Sequence, residues 1–316
     1  MAGRVLGIDA GGTKLLTGVL DEQLGVRHRN VRLWRGTDLA GVLDTMVEAV
    51  EEAMALDPAV EAVGCGIPAL VTEDGVSEFS THLHLEGVPV RSLLEERLGL
   101  PVFLDNDANL AVLAEQRAGA ARGLSDVVML TLGTGIGSGL MLGGRLYRGS
   151  RHVGAELGHM VVDMDGPPCQ GNCPGRGHLE VYASGPGLGR EGAHAAAREP
   201  GSALGQALAG GTVITGEVVT DLALGGDPVA QSAVASVGRA LGVGLTTIAN
   251  VFNPEAIVVG GGAARAGEML LEPARAVVAE RALPPCREGL LIVLARFGPD
   301  AGMIGAGAFA LARGEV

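Results

Sequence analysis

Twice in this chain an apolar, strand-like run stops at a glycine-threonine turn and is followed by a second strand-like run. The first turn reads Asp9-Ala10-Gly11-Gly12-Thr13-Lys14 and the second Leu132-Gly133-Thr134-Gly135-Ile136-Gly137. Each opens a meander of three strands, over residues 4–33 and 126–147, and each meander leads into alternating helix and strand signals. No residue-level repeat accompanies the pattern. The order of elements still predicts a duplicated α/β chain with two mixed sheets and flanking helices. In the first half, Asp38 is the expected N-cap of a helix carrying Val42, Leu43, Met46, Val47 and Val50, followed by a strand over 60–66, a helix over 89–98, a strand over 101–104 and a helix from Asn106-Asp107 to about 119. In the second, helices are expected over 186–197, 215–224 and 228–252, then a strand over 256–259, a helix to about 281, a strand over 290–295 and a last helix from 301.

A length of 316 residues suits two domains. The expected division is a smaller α/β domain over 1–119, joined by a C-terminal helix over 301–316, and a larger one over 120–300. Hydrophobic residues make up 47% but aromatics only 3%, so packing must rest on Ala, Val and Leu. The 52 glycines follow no collagen period and point to tight turns and close backbone approaches. Basic residues number 23 against 36 acidic, a net charge of −13. Such a surface repels polyanions, so neither nucleic acid nor an anionic membrane is an expected partner, and an anionic ligand must be held by local donors. The uncharged run 127–144 carries glycine at six positions and reads as a hairpin rather than a membrane span. Arg4 and Asp9 interrupt the N-terminal apolar run, which is no signal peptide. Of four cysteines, Cys65 and Cys286 stand alone, as expected of a reducing cytoplasm.

The other two cysteines lie in the insert 154–180, GAELGHMVVDMDGPPCQGNCPGRGHLE. Its Gly/Pro content forbids a continuous helix. His159, Cys169, Cys173 and His178 form a thiolate and imidazole set suited to tetrahedral zinc, and four protein ligands leave no open position. The expected metal is therefore a structural Zn2+ clip for a loop with few apolar residues. Two carboxylates, Glu156 and Glu180, bracket the clip without being needed as ligands.

At the first turn Gly11, Gly12, Thr13 and Lys14 offer backbone N–H groups, a hydroxyl and an ammonium to phosphate oxygens, with Asp9 able to hold Mg2+. Gly133, Thr134 and Gly135 repeat that chemistry, and two such turns can clamp a triphosphate. Neither is a Walker loop, since no Lys-Ser/Thr follows the glycines. Gly260-Gly261-Gly262, after a strand and before a helix, suits either a nucleotide at a helix N-terminus or a tight turn. Asp107 reads either as an N-cap or as a general base acting on a hydroxyl, with Asn106 beside it and Asp105 as the competing carboxylate.

Together, Asp9-Ala-Gly-Gly-Thr-Lys14, Asn106-Asp107-Ala-Asn109, Thr131-Leu-Gly-Thr-Gly-Ile-Gly137, Gly154-Ala-Glu-Leu-Gly-His159, the cysteine segment ending at Glu180, and Asn253-Pro-Glu with Gly260–Gly262 resemble the ROK family of bacterial sugar kinases and repressors. The resemblance covers nearly the whole chain. It implies an actin-like ATPase (ribonuclease H-like) fold with a cleft between two domains, a cytoplasmic homodimer or homotetramer, and ATP-dependent phosphorylation of a hexose, most simply glucose at its 6-hydroxyl. On this resemblance Asp107 is the base, while Asn106, Gly66, His82, Glu156, His159 and Glu180 face the sugar. Asp9 and the two turns take Mg-ATP phosphates, and Gly260–Gly262 the nucleoside. His159 would present one ring nitrogen to zinc and the other to sugar.

Three departures from the family pattern stand out. His178 stands where the family has a third cysteine and Cys169 and Cys173 are further apart than usual; Ala69 replaces a frequent glycine; His82 stands near a frequent asparagine. The last two bear on sugar identity, leaving mannose, fructose, allose and N-acetylhexosamines as alternatives to glucose. A sugar-sensing repressor is a third reading, disfavoured by acidity and by a start almost directly at the first strand. Polyphosphate as donor is disfavoured by the Gly260 turn.

Overall fold

The computed structural model describes residues 3–12, 14–34, 38–80 and 83–316. Strand β1 (Arg4–Ala10) pairs antiparallel with β2 (Lys14–Leu20), and β2 with β3 (Val26–Leu33). Helix α1 (Leu39–Leu56) begins where the Asp38 side chain accepts from Gly41 N, and its Val42, Leu43, Met46, Val47 and Val50 are buried. After it come β4 (Val60–Ile67), a small hairpin of β5 (Ala69–Val71) and β6 (Ser77–Ser80), α2 (Val90–Leu98), β7 (Val102–Asn106) and α3 (Asp107–Ala118). The hairpin is absent from the sequence expectation.

The second half repeats the plan with β8 (Val127–Leu132), β9 (Ile136–Leu142) and β10 (Arg145–Tyr147). Then follow α4 (Leu179–Ala183), α5 (Gly185–Arg198), α6 (Ala203–Ala209), α7 (Gly216–Leu224) and α8 (Pro228–Phe252). Strand β11 (Ala256–Gly260), α9 (Glu268–Arg281), α10 (Pro284–Arg287), β12 (Leu291–Leu294) and α11 (Ala301–Leu311) complete it. Among the described residues the sheet orders are β3-β2-β1-β4-β7 and β10-β9-β8-β11-β12. These are one topology used twice: an antiparallel meander whose first strand sits centrally, then two parallel strands.

The chain forms two compact units, 1–125 with 139–155 and 296–316, and 126–138 with 156–295. Residues 139–155, assigned by the expected boundary to the second domain, thus belong with the first unit. In that unit the apolar face of α1 and α2 packs with Leu6, Ile8, Val63 and Cys65, while Val5, Leu16 and Ala62 pack with Ala114, Met303, Ile304 and Ala310 on the opposite side. Side-chain alternation along the strands sorts these two cores. Helix α11 approaches unusually closely: a Cβ on Gly64 would lie 1.8 Å from the Ala306 carbonyl oxygen, and one on Gly305 would lie 1.7 Å from that of Leu110. Glycine lets backbone rest on backbone here, which is one use of the abundant glycine noted above.

In the second unit α8 is the central helix. By length and apolarity it is the one described helix able to cross a bilayer. Its Leu241, Leu245 and Ile248 are instead wholly buried, and Gly238 and Gly242 lie against the backbone of α9 at Leu270 and Ala274. Gly244 of the same helix receives the Leu179 side chain, which is fully buried. That contact seats the start of α4, and with it Glu180.

Candidate functional site

Parallel register aligns the strand ends of the first unit. Asp9 pairs with Gly66, and Gly66 with Asp105. Asp9, though part of its surface meets solvent, is surrounded densely enough that burial, followed by the charge of Asp107, pushes its carboxyl up to about 7; Lys14 opposes the shift. Two carboxylates that feel each other beside an ammonium form a site that gains from a divalent cation. Gly11 and Gly12 are half-buried and Lys14 is exposed. The turn is braced by Trp34, whose Nε1 donates to the Gly11 carbonyl at 2.8 Å. Thr13 lies outside the described residues, as does His82.

The end of β7 separates three neighbouring polar residues. Asn106 is the N-cap of α3: its Oδ1 accepts from Ala108 N and Asn109 N, and its Nδ2 donates to the Ala69 carbonyl at 3.2 Å. Asp107 is therefore the first helical residue and the cap is already supplied. Asp105 is 5% exposed. Its carboxylate is held by Arg148 Nε at 2.6 Å, Asn109 Nδ2 at 2.9 Å and Asn106 N at 2.7 Å. Of the two candidate carboxylates, Asp105 is thus committed to structure. Gly66 is buried, and a Cβ there would lie 3.4 Å from the Asp107 Cα, so its contribution is space for the start of α3.

In the second unit the four expected metal ligands converge. One ligand atom from each of His159, Cys169, Cys173 and His178 lies within 4.8 Å of the others. The two Nδ1 atoms are 3.2 Å apart, His159 Nδ1 lies 3.8 Å from Cys169 Sγ and 3.7 Å from Cys173 Sγ, and Cys173 Sγ lies 3.6 Å from His178 Nδ1. Tetrahedral bonds of about 2.0–2.3 Å require ligand separations of roughly 3.3–3.8 Å. The donor set therefore fits such an ion, with both histidines turned in through Nδ1. His159 Nε2 faces the other way, 3.8 Å from Glu156 Oε2.

Glu180, 7% exposed, ties this cluster to the second glycine turn. Its Oε1 accepts from the Cys169 thiol at 2.9 Å and its Oε2 from Ile136 N at 3.3 Å. Burial and this Glu180 contact push the Cys169 thiol up to about 12, so in the metal-free protein it is protonated. A Cβ on Gly135 would lie 2.6 Å from Glu180 Oε2, which explains glycine at that position. Gly133 and Thr134 are exposed, and the Gly133 carbonyl accepts from Gly185 N at 2.8 Å.

Gly133, Thr134 and Gly262 line a mostly apolar cavity of about 760 Å3, a size common for small-molecule sites. Its other walls, including Arg190, Ile214, Glu217 and Arg265, went unread in the sequence, because they come from α5, the loop before α7, α7 and the turn after β11 with no local motif. Gly260 is buried as the last residue of β11, and Gly261 adopts φ 86° against the Leu132 backbone. The helix expected after these glycines is α9, which ends at Arg281 but begins only at Glu268: a short 3₁₀ turn, Gly262–Ala266, and Gly267, at φ 63°, precede it.

The ROK family's sequence model matches residues 5–314. The chain is 34% identical to a glucokinase of Streptomyces coelicolor over 309 residues, 96% of each protein. Among solved structures it is similar to a ROK family glucokinase from Streptomyces griseus in complex with glucose and AMPPNP, at 34% identity and a TM-score of 0.86, covering 97% of this chain and 99% of that one. It is similar also to a ROK family transcriptional regulator, at 27% identity and a TM-score of 0.88, covering 99% of this chain and 80% of that one. The chain belongs to the ROK family and has its two-domain, actin-like ATPase fold.

Proposed function

We propose that this protein is an ATP-dependent hexose kinase that phosphorylates the 6-hydroxyl of glucose. The observation that carries the reading is the division of roles at the end of β7. Asp105 is locked by Arg148, Asn106 caps the helix, and Asp107, whose Oδ1 accepts from Ala108 N, acts on Asp9 more strongly than the other carboxylate that raises its pKa, Asp300. Similarity to glucokinases over nearly the full length supports the substrate class.

Asp107 takes the proton of the 6-hydroxyl as that oxygen attacks the γ-phosphorus of ATP, giving hexose 6-phosphate and ADP. Lys14 and the N–H groups of the Gly11-Gly12 and Gly133–Gly135 turns stabilise charge on the phosphates, with Thr13 and Thr134 as hydroxyl donors. Asp9 holds Mg2+, directly or through water; when bound, the ion neutralises phosphate charge. Asn106, Glu156, the Nε2 edge of His159 and Glu180 bind other sugar hydroxyls, and His82 is assigned to the same task. Gly262 and the neighbouring walls of the 760 Å3 cavity hold the nucleoside. His159, Cys169, Cys173 and His178 hold a structural Zn2+, which fixes the loop that carries Glu156, His159 and Glu180.

A coupled ATP-consumption assay over glucose, mannose, fructose, allose and N-acetylglucosamine tests this. Glucose is expected to lead. Turnover led by another sugar would keep the reaction and reassign the substrate. No turnover with any of them would turn the reading towards the sensing role that the name of the regulator relative suggests.

A further inference from the structure

A second cavity, of about 910 Å3, opens in the first unit, and none of the residues assigned above to sugar, nucleotide or metal lines it. In a chain of net charge −13, it gathers five guanidinium groups, from Arg91, Arg117, Arg145, Arg148 and Arg313. They come from α2, α3, β10, the loop after β10 and the C-terminal segment, so no local run of charge explains the convergence. Among the described residues Arg117, Arg145 and Arg313 have no ion-pair partner. Arg148 bonds Asp105 through Nε alone, leaving its two terminal nitrogens as donors, and stacks 5.3 Å from the Phe309 ring centre. Arg91 donates to the Glu73 carbonyl, while its Nε is buried with no partner.

Four acids, Glu73, Glu95, Asp105 and Glu315, share the cavity wall with these five guanidinium groups, and two of the four are turned to protein donors. Glu95 accepts from Val102 N and Asp105 is occupied as described, which leaves Glu73 and Glu315 as exposed carboxylates. Phe103 and Phe309, edge to face at 6.2 Å, add an apolar wall. Several planar guanidinium forks suit a phosphate dianion better than a single carboxylate, and the volume admits a small molecule. A long polyanion is opposed by the overall charge.

We infer that this cavity binds a phosphorylated small metabolite, separately from the substrates. An anion engaging Arg148 acts on the residue that holds Asp105, and Asp105 immediately precedes Asn106 and Asp107. Binding therefore lowers kcat without raising the KM for ATP, a consequence that rests on the kinase reading; the binding itself does not.

Titration calorimetry with inorganic phosphate as probe, on the full chain with excess AMPPNP, tests the site. A saturable isotherm is expected in the wild type and at least a tenfold loss of affinity in the Arg145→Gln/Arg313→Gln double variant, whose exposed side chains leave the fold intact. Absence of saturable binding, or binding that AMPPNP abolishes and the double variant leaves unchanged, overturns the proposal. Should AMPPNP itself fail to bind, the kinase reading is at fault, and the comparison of wild type with double variant still reports on the cavity.

Discussion

The two glycine turns occupy equivalent places in equivalent sheets, after β1 and after β8, yet they are finished by different chemistry. The first has Asp9 at the end of β1, a carboxylate that feels the charge of Asp107 at the start of α3, and is braced by an indole. The second contains no acid. The carboxylate bonded to it, Glu180, arrives from beside the Cys/His cluster, 44 residues beyond Ile136. Duplication of a topology thus fixes where a turn sits, and the residues around it decide what it does: on the proposed reading the first half serves proton transfer and cation binding, and the second a fixed cradle of N–H groups.

The sharpest break of that contrast is Asp107→Ala. Removing a general base costs about 10²- to 10⁴-fold in kcat, and circular dichroism should show the fold unchanged; retained turnover would remove Asp107 from the mechanism. Next comes the clip. Cys173→Ser, or prolonged chelation, should abolish one bound zinc per chain, and a few kcal/mol of lost binding energy lowers Tm by roughly 5–10 °C. A purified protein with no metal and an unaltered Tm on chelation would end the structural-zinc reading.

Arg148→Ala leaves the Asp105 carboxylate buried with its charge uncompensated, which costs about 3 kcal/mol or more because Arg148 is itself only 15% exposed. Denaturant melts of this variant against Arg145→Ala, which among the described residues has no ion-pair partner to abandon, isolate the effect. Smaller again is the pair Gly135→Ala and Gly133→Ala. The first forces a methyl against a Glu180 carboxylate held on both oxygens and should cost about 1–3 kcal/mol, whereas the second meets open space and should change stability by less than about 0.5 kcal/mol.

The pH dependence of the first half is the gentlest test. Because the folded-state pKa of Asp9 is raised to about 7 from 3.8, its contribution to stability is fully present below the unfolded value and is lost as pH rises through about 7. Magnesium, which needs the carboxylate, should therefore raise Tm more at pH 8 than at pH 6. Equal shifts at both would remove Asp9 as the cation's holder.

Much of this arrangement was legible in the sequence where signals are local. Asp38 read as a cap, and His159, Cys169, Cys173 and His178 as one cluster, because capping and ligand spacing act over a few residues. What escaped depends on distance along the chain. Trp34 bracing Gly11, Arg148 disarming Asp105, and Glu180 joining the clip to Ile136 span 23, 43 and 44 residues. The β5–β6 hairpin is too short for alternation to declare itself, and the helix expected after Gly262 ends at Arg281 as read but starts only at Glu268, because Gly267 interrupts it.

The most direct test of the central claim is product identification. Glucose and ATP-Mg are incubated with metal-quantified protein, and the product is examined by 31P and 1H NMR beside the rate of ATP loss. The account predicts glucose-dependent ATP consumption with phosphate on the 6-oxygen. ATP loss that is indifferent to sugar, or phosphate on any other oxygen, would contradict it.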